Sequence, residues 1–332
     1  MTINTEFQAW RVQENDGAYV GGEMTLNTAD LPEGDVLIRV SHSSLNYKDA
    51  LSASGNKGVT RVFPHTPGID AAGEVVESAN ATLPAGQAVI VTGYDLGMNT
   101  DGGFGEYIRV PASWCIPMPS GWNARTAMIY GTAGLTAGLC VQKLLTMGAK
   151  PEQGKVAVTG ASGAVGSVAV ELLSKLGFDV VAISGKASHA ESLKALGASE
   201  VVGREALAED KKPLAKPVYA NAVDTVGGAP LAELLKQVQH SGSVSCCGLV
   251  AGPALQTTVL PFILRGVNLL GVDSVEIPLE AKAAVWEKFA SDWACEKTEA
   301  SAKDIGRAEL DRALKAFLKG ESSGKIVLDH TL

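Results

Sequence analysis

The chain has 332 residues, 46% hydrophobic and 19% charged, with a formal net charge of −8. That is material for two domains with buried cores, and the acidic balance excludes a nucleic-acid surface or one built for anionic lipid. The start, Met1-Thr-Ile-Asn-Thr-Glu-Phe7, has no basic segment followed by an apolar one, so no signal peptide is expected, and the apolar runs are too interrupted to span a bilayer.

The front of the chain reads as short strands. Phe7 to Val12 alternates and meets the turn Asn15-Asp16-Gly17. Val36–Val40, Gly73–Val76, Ala88–Thr92 and Gly105–Val110 follow, separated by Gly, Pro, Asn and Asp. This pattern predicts a compact β-barrel or sandwich. After a transition at 117–133, the small-residue run Gly131 to Leu145 predicts a helix able to pack closely.

The middle of the chain alternates strand and helix. Val156–Val158 enters a turn at Thr159-Gly160, and Ala161-x-Gly163-x-x-Gly166 matches the dinucleotide fingerprint with alanine in its first slot. Gly163 would let backbone N–H groups approach a diphosphate, and Gly166 would let the helix pack on its strand. Tight packing alone is the other reading of such a turn. Val165, Val168, Ala169, Leu172, Leu173 and Leu176 then keep helical spacing up to Gly177, and Asp179–Ser184 is a second strand. Ser188-x-x-Glu191 predicts a capping box opening the helix that Gly197 closes. Further strands are expected at Glu200–Val202, Ala222–Val226, Ser243–Cys247 and Val267–Asp273, with helices at Leu231–Val238 and Pro261–Leu264. Two three-strand halves make the α/β, doubly wound parallel sheet of the Rossmann type.

The end of the second strand selects the cofactor. An NAD site wants a carboxylate there for the ribose hydroxyls. This chain has Ser184-Gly185-Lys186. A hydroxyl, a bare backbone and an ammonium suit a 2′-phosphate, so NADP(H) is expected. Arg204 is a second phosphate candidate, or else a solvated loop arginine.

In the tail, Leu279–Trp293 and Leu310–Lys319 read as amphipathic helices and Gly324–Asp329 as a strand. The chain is expected to return to its front domain. The expected boundaries are 1–125 with 296–332 for the β-rich domain and 126–295 for the nucleotide domain, with a ligand cleft between them. Five scattered cysteines without a C-x-x-C pair support neither a zinc ribbon nor a thioredoxin-type site. Cys246-Cys247 reads as two small core residues, and a reducing cytoplasm is the expected compartment.

Several of these segments together resemble a known group. Ser44-Leu-Asn-Tyr-Lys-Asp49, Pro67-Gly-Ile-Asp70, Tyr130-Gly-Thr-Ala-Gly134, Val158-Thr-Gly-Ala-Ser-Gly163, Asp224-Thr-Val-Gly227, Pro261-Phe-Ile-Leu-Arg-Gly-Val267 and Gly271-Val-Asp-Ser274 carry the likeness. The chain resembles the medium-chain dehydrogenase/reductase superfamily, in its zinc-independent, quinone-oxidoreductase-like branch, which includes NADPH-dependent acryloyl-CoA reductases. The resemblance implies a Rossmann domain inserted in a GroES-like barrel domain. It implies cofactor contacts from Tyr47, Ser162, Gly163, Ala164, Val165, Ser184, Gly185, Lys186, Arg204, Leu249, Ile263 and Ser274. Without it, Leu249 and Ile263 would read as core residues. Ser323-Gly324-Lys325 departs from the Gln-Gly-Arg that the family often has before its last strand.

Zinc alcohol dehydrogenases of this superfamily carry a cysteine in the segment matching Asn46-Tyr47, and Gly-His-Glu where this chain has Gly68-Ile69-Asp70. No metal is therefore expected, and His42 and His65 read as ordinary barrel or loop histidines. Without a Lewis acid, simple alcohol oxidation is a poor fit. Reduction of a C=C bond conjugated to a thioester asks less: a hydride to the β-carbon, hydrogen bonds to an enolate, a proton to the α-carbon.

Tyr47 is the leading candidate for the polar group at the reacting atoms, the alternative being a strand-end tyrosine bonded to a carbonyl. Lys48 would stabilise negative charge or lie on the surface. Asp49 reads as a loop-ordering or capping residue. Arg61, Arg125 and Arg265 are equal candidates for the phosphates of a CoA ester. The competing activities are NADPH-dependent reduction of a quinone or enal, and, in another class, an idle NADPH-binding protein. A homodimer joined along the Val267–Val272 strand is expected, with a small-molecule substrate and neither nucleic acid nor membrane as partner.

Overall fold

The computed structural model describes residues 4–209, 211–322 and 324–332. The first three residues of the segment read for a leader, and Ser323 of the tail motif, lie outside the described residues. The chain forms two compact units. The first comprises Met1–Thr132, Ser274–Ser291 and Ser301–Leu332, and the second Ala133–Asp273 and Asp292–Ala300.

The first unit is built on antiparallel pairing. Glu6–Asn15 and Ala18–Asn27 form a hairpin whose turn, Asp16-Gly17, has φ of 50° and 80°. That backbone matches the twist of the two strands. The second strand of the hairpin is not predicted from the sequence: it is glycine-containing, partly exposed and held by its partner. A seven-stranded sheet follows, in the order Lys303–Ile305, Ile326–Asp329, Val36–Ser44, Asp70–Ser78, Ala88–Thr92, Cys115–Pro117, with Tyr107–Val110 also paired to Val36–Ser44. The tail thus returns to the front, as expected: Ile326–Asp329 pairs antiparallel with Val36–Ser44. Val36, Ile38, Val40, Ala71, Val75, Val89, Val91, Ile108 and Val110 fill the core of the sheet. Trp10, Leu45, Ala50, Phe104, Leu310 and Leu314 form a second cluster, which seats the helices Tyr47–Ala53 and Leu310–Leu318. The helix Leu279–Phe289 is tied to the same unit by Lys282, whose buried Nζ donates to Thr92 O (2.7 Å) and Val275 O (2.8 Å).

The second unit is the doubly wound sheet. Its strands, in chain order, are Val156–Thr159, Val180–Ile183, Glu200–Val202, Asn221–Asp224, Ser243–Cys246 and Asn268–Gly271. They lie side by side as third, second, first, fourth, fifth and sixth, and every pairing is parallel. The strand order reverses between Val156–Thr159 and Asn221–Asp224. Ligands of such sheets bind at the carboxyl ends of the strands at that reversal. Strands buried on both faces explain the continuous apolar runs of the sequence.

Two local expectations need correction. Ser188 does not cap a helix. A 3-10 turn, Ala187–His189, precedes the helix Ala190–Leu196, whose N-cap position is His189 with no side-chain bond. Gly197 does close that helix in the left-handed region, at φ 113°. The helix expected from Gly131 instead spans Ala124–Thr146 and breaks at Gly131, which has φ 51° and ψ −159°. A β-carbon there would fall on Ser44 Oγ and lie 2.7 Å from Asp70 Oδ2. The backbone must pass this close because Asp70 bonds the next residue, Thr132. Gly131→Ala should therefore lower stability by about 1–3 kcal/mol, the usual cost of a strained backbone position, checked by urea unfolding with Gly148→Ala as an uncrowded positive-φ comparison.

Candidate functional site

In the second unit the glycine turn joins the first strand to the helix Ala164–Lys175, with Gly163 at its N-cap. The first helical bond runs from Ser167 N–H to Gly163 O (2.9 Å). The amides of Ala164, Val165 and Gly166 thus sit in the turn where a helix has no acceptor of its own. With the helix dipole they offer a seat for an anion. A β-carbon on Gly166 would overlap Gly160 O, so close helix–strand packing requires glycine there. Asp224, at the end of the neighbouring strand, braces the turn. It accepts from Thr159 Oγ1 (2.7 Å) and Gly227 N–H (2.8 Å), while Thr225 Oγ1 donates to Thr159 O (2.8 Å). Burial pushes the Asp224 carboxyl above its ordinary range, and these hydrogen bonds oppose the shift.

The end of the second strand lies against the same turn. Ser184 Oγ is 3.2 Å from Ser162 Oγ and accepts from Lys186 N–H at 3.2 Å. A β-carbon on Gly185 would fall on the guanidinium of Arg204. The structure therefore brings Arg204 to the strand end that Ser184 and Lys186 define. Arg204 is exposed and has no carboxylate partner among the described residues. A hydroxyl, open backbone and guanidinium converging within reach of the helix N-terminus fit a dinucleotide that carries a 2′-phosphate.

Leu249 passes beside Gly227, the residue bonded to Asp224. Leu249 and Ile263 are not core residues: they are 63% and 68% exposed in the second unit. Ser274 is buried and belongs to the first unit.

In the first unit Tyr47 opens the helix Tyr47–Ala53 and is 41% exposed. Its hydroxyl makes no hydrogen bond among the described residues, so the strand-end alternative, a tyrosine tied to a carbonyl, does not hold. Lys48 is partly buried, with Nζ 4.0 Å from Met98 Sδ. Beneath them is a buried carboxylate pair. Asp70 accepts from Asn46 Nδ2 (2.8 Å), Thr132 N–H (2.8 Å), Thr132 Oγ1 (2.5 Å) and Ser44 Oγ. Asp49 accepts from Asn46 N–H (2.7 Å) and Ile69 N–H (2.9 Å), which confirms its capping role. Asn46 is held at both ends, by Asp49 through its backbone and by Asp70 through its side chain. This fixes where Tyr47 starts.

Burial, reinforced by the Asp70 charge, pushes the Asp49 carboxyl up to about 7 against the two backbone bonds. Lys325, buried in the tail, donates to Tyr130 O (2.9 Å), and burial pulls it down to about 8 while Asp70 opposes. Asp70 and Lys325 were matched in the sequence only as motif letters. The signal was a carboxylate in the apolar stretch Gly68-Ile-Asp-Ala-Ala72 facing the small polar residues Ser43, Ser44 and Thr132.

His65 is buried 3.7 Å from Asp101, and His42 stands 3.7 Å from Asp329. Among the described residues no three His, Cys, Asp or Glu side chains converge to hold a metal. Nor is any helix long and apolar enough to cross a membrane.

A doubly wound sheet with a phosphate-ready glycine turn, joined to an antiparallel β unit, defines a dinucleotide-dependent oxidoreductase. Two family patterns match the chain: the alcohol dehydrogenase GroES-like domain over residues 32–120, and the zinc-binding dehydrogenase family over 164–291. A protein of Escherichia coli strain K12 described as a probable acrylyl-CoA reductase, AcuI, is 46% identical over 97% of this chain and 99% of its own. YhfP of Bacillus subtilis, named for a quinone oxidoreductase, is 43% identical over 98% and 99%. Its crystal structure with NAD bound superposes with a TM-score of 0.94 over 98% of this chain and 99% of its own. The YhdH oxidoreductase of Salmonella enterica, in complex with NADP, is 43% identical and reaches 0.95 over 97% and 99%. The chain belongs to the medium-chain dehydrogenase/reductase superfamily, in its quinone-oxidoreductase-like branch.

The raised Asp49 value has a thermodynamic consequence. Below the ordinary carboxylate value, near 3.8, both folded and unfolded chains hold the proton, and the stability that Asp49 contributes is fully present. Between there and about 7 only the folded chain keeps it, so that contribution is lost as pH rises. Asp49→Asn should flatten the fall in unfolding free energy between pH 5 and 7.5, measured by urea titration. An unchanged slope would locate the proton elsewhere.

Proposed function

We propose that the protein is an NADPH-dependent reductase of a small α,β-unsaturated acyl-CoA, with acryloyl-CoA to propanoyl-CoA as the reaction. The observation that carries the cofactor reading is the Arg204 guanidinium stacked over Gly185, beside Ser184 and Lys186. Near-full-length similarity to the AcuI protein supports the acceptor. When bound, NADPH supplies the hydride that the β-carbon of the substrate receives. The backbone of Ser162, Gly163, Ala164 and Val165 would hold its diphosphate, and Ser184, Gly185, Lys186 and Arg204 its 2′-phosphate. Leu249, Ile263 and Ser274 complete the proposed cofactor contacts.

Tyr47, whose hydroxyl has no hydrogen-bond partner among the described residues, positions the cofactor or delivers the proton to the α-carbon. Lys48 turns positive charge toward the substrate. Asp49 and Asp70 hold both by way of Asn46 and touch nothing that reacts.

We infer a homodimer as well. Asn268–Gly271 is the edge strand of the parallel sheet, and an edge strand can pair across a two-fold axis. Five cysteines with no disulfide among them suit a reducing cytoplasm. The second reading, reduction of a quinone, is supported by the similarity to YhfP, which is named for a quinone oxidoreductase.

Three measurements test these points. NADPH oxidation with acryloyl-CoA, crotonyl-CoA, a quinone and an enal in parallel should favour acryloyl-CoA by kcat/KM; turnover of the quinone alone would overturn the assignment. A charge-assisted contact is worth about 1.5–3 kcal/mol, so Arg204→Ala should raise the KM for NADPH roughly 10- to 150-fold and leave that for NADH unmoved. Tyr47→Phe should cut kcat at least about 100-fold, the usual range for a general acid, with NADPH affinity retained if its role is protonation. Full activity in that variant would remove Tyr47 from the chemistry.

A further inference from the structure

The acyl-CoA reading asks for cations that meet the phosphates of CoA, and the structure separates the three arginines that the sequence left equal. Arg125 is committed: its Nε lies 2.9 Å from both oxygens of Asp304. Arg265 is committed too, donating to the carbonyls of Lys236 (2.7 Å), Ala215 (2.6 Å) and Val238 (3.3 Å) at a helix end. Arg61 differs. It is exposed, and its guanidinium has no carboxylate or carbonyl partner among the described residues. Its backbone N–H is fixed to Asn99 Oδ1 at 3.2 Å.

Lys48 reaches the same loop. Its Nζ lies 4.0 Å from Met98 Sδ, and it too has no ion pair among the described residues. Met98 and Asn99 are adjacent, so their α-carbons are about 3.8 Å apart. The loop that both residues meet is tightly built. Gly97 N–H bonds Thr100 O (2.8 Å) and Met98 N–H bonds Asp95 O (3.1 Å). Its own acids are already engaged: Asp95 accepts from Asn99 Nδ2 and Thr100 Oγ1, each at 2.9 Å, and Asp101 holds Arg11 at 2.9 Å. Two residues whose cations have no acidic partner among the described residues thus meet adjacent positions of one hydrogen-bonded loop, in a chain whose net charge is −8.

We propose that Lys48 and Arg61, which both meet the Asp95–Asp101 loop at Met98-Asn99, form the anion site that takes the phosphate groups of the acyl-CoA substrate. This rests on the acyl-CoA reading above and extends it to residues. A guanidinium presents a planar fork of donors to a phosphate, and an ammonium acts as a compact point charge beside it.

The test compares two thioesters of the same acyl group: acryloyl-CoA, and the N-acetylcysteamine thioester, which carries no phosphate. Arg61→Gln, Lys48→Gln and the double variant are assayed, with Arg39→Gln, an exposed partner of Glu74, as the control. For Arg61→Gln the KM for acryloyl-CoA should rise at least tenfold with kcat held, and the KM for the phosphate-free thioester should stay put. The double variant should go further, and added salt should raise the wild-type KM for acryloyl-CoA only. Equal shifts for both thioesters, or none for either, would overturn the site. Calorimetric binding of free CoA to wild type and Arg61→Gln keeps the two readings apart. If CoA binding weakens tenfold in the variant while neither thioester turns over in wild type, the site stands and the reductase reading fails. Equal CoA binding by both proteins would overturn the site whatever is turned over.

Discussion

Much of the first unit is arranged around one buried carboxylate. Asp70 sits at the start of a central strand with no exposed surface, and it accepts hydrogen bonds from Ser44, Asn46 and Thr132. A buried acceptor of this kind is tolerated only when its lone pairs are satisfied. Its donors come from two separate stretches of chain, so satisfying it fixes them relative to one another. Gly131 must be glycine because the backbone reaching Thr132 passes against Ser44 and Asp70. Asn46 is clamped, which sets the helix that begins at Tyr47. Asp49, crowded by the same charge, is driven toward its neutral form. Lys325 arrives from the tail as a cation against the same cluster, and burial lowers its basicity.

The second unit offers two different kinds of group to an anion. At the glycine turn the ligand-facing groups are backbone amides. Their placement depends on the close approach of helix and strand, which Gly166 permits and which Asp224 braces from the neighbouring strand. At the end of the second strand the groups are side chains, Ser184, Lys186 and Arg204. Backbone amides suit any diphosphate, whereas these side chains are the groups proposed to discriminate at the ribose. The two share one strand-end platform because the doubly wound order places the first and second strands side by side.

The sequence by itself determined the alternation of strand and helix through the second unit, the glycine turn, and the chemistry of Ser184-Gly185-Lys186. These are local properties: an apolar period, a residue without a β-carbon, the absence of a carboxylate. It also determined that the tail forms a strand, though not which strand it would join. It placed the helix cap at Ser188 wrongly, because a capping box competes with the 3-10 turn that follows Lys186. It missed the Ala18–Asn27 strand, whose order comes from its partner and not from its own pattern.

Only the tertiary structure decided the rest. Leu249 and Ile263 are exposed, although their apolar character alone would bury them. Arg204 meets Gly185 across 19 positions of sequence, and Arg61 differs from Arg125 and Arg265 solely in what surrounds its guanidinium. The polar cluster of Asp49, Asp70 and Lys325 joins residues from opposite ends of the chain. A charge carries no mark in the sequence of whether it is paired, buried or free. That depends on desolvation and on partners brought in by folding, which is why residue types were legible from the start and their roles became so only in three dimensions.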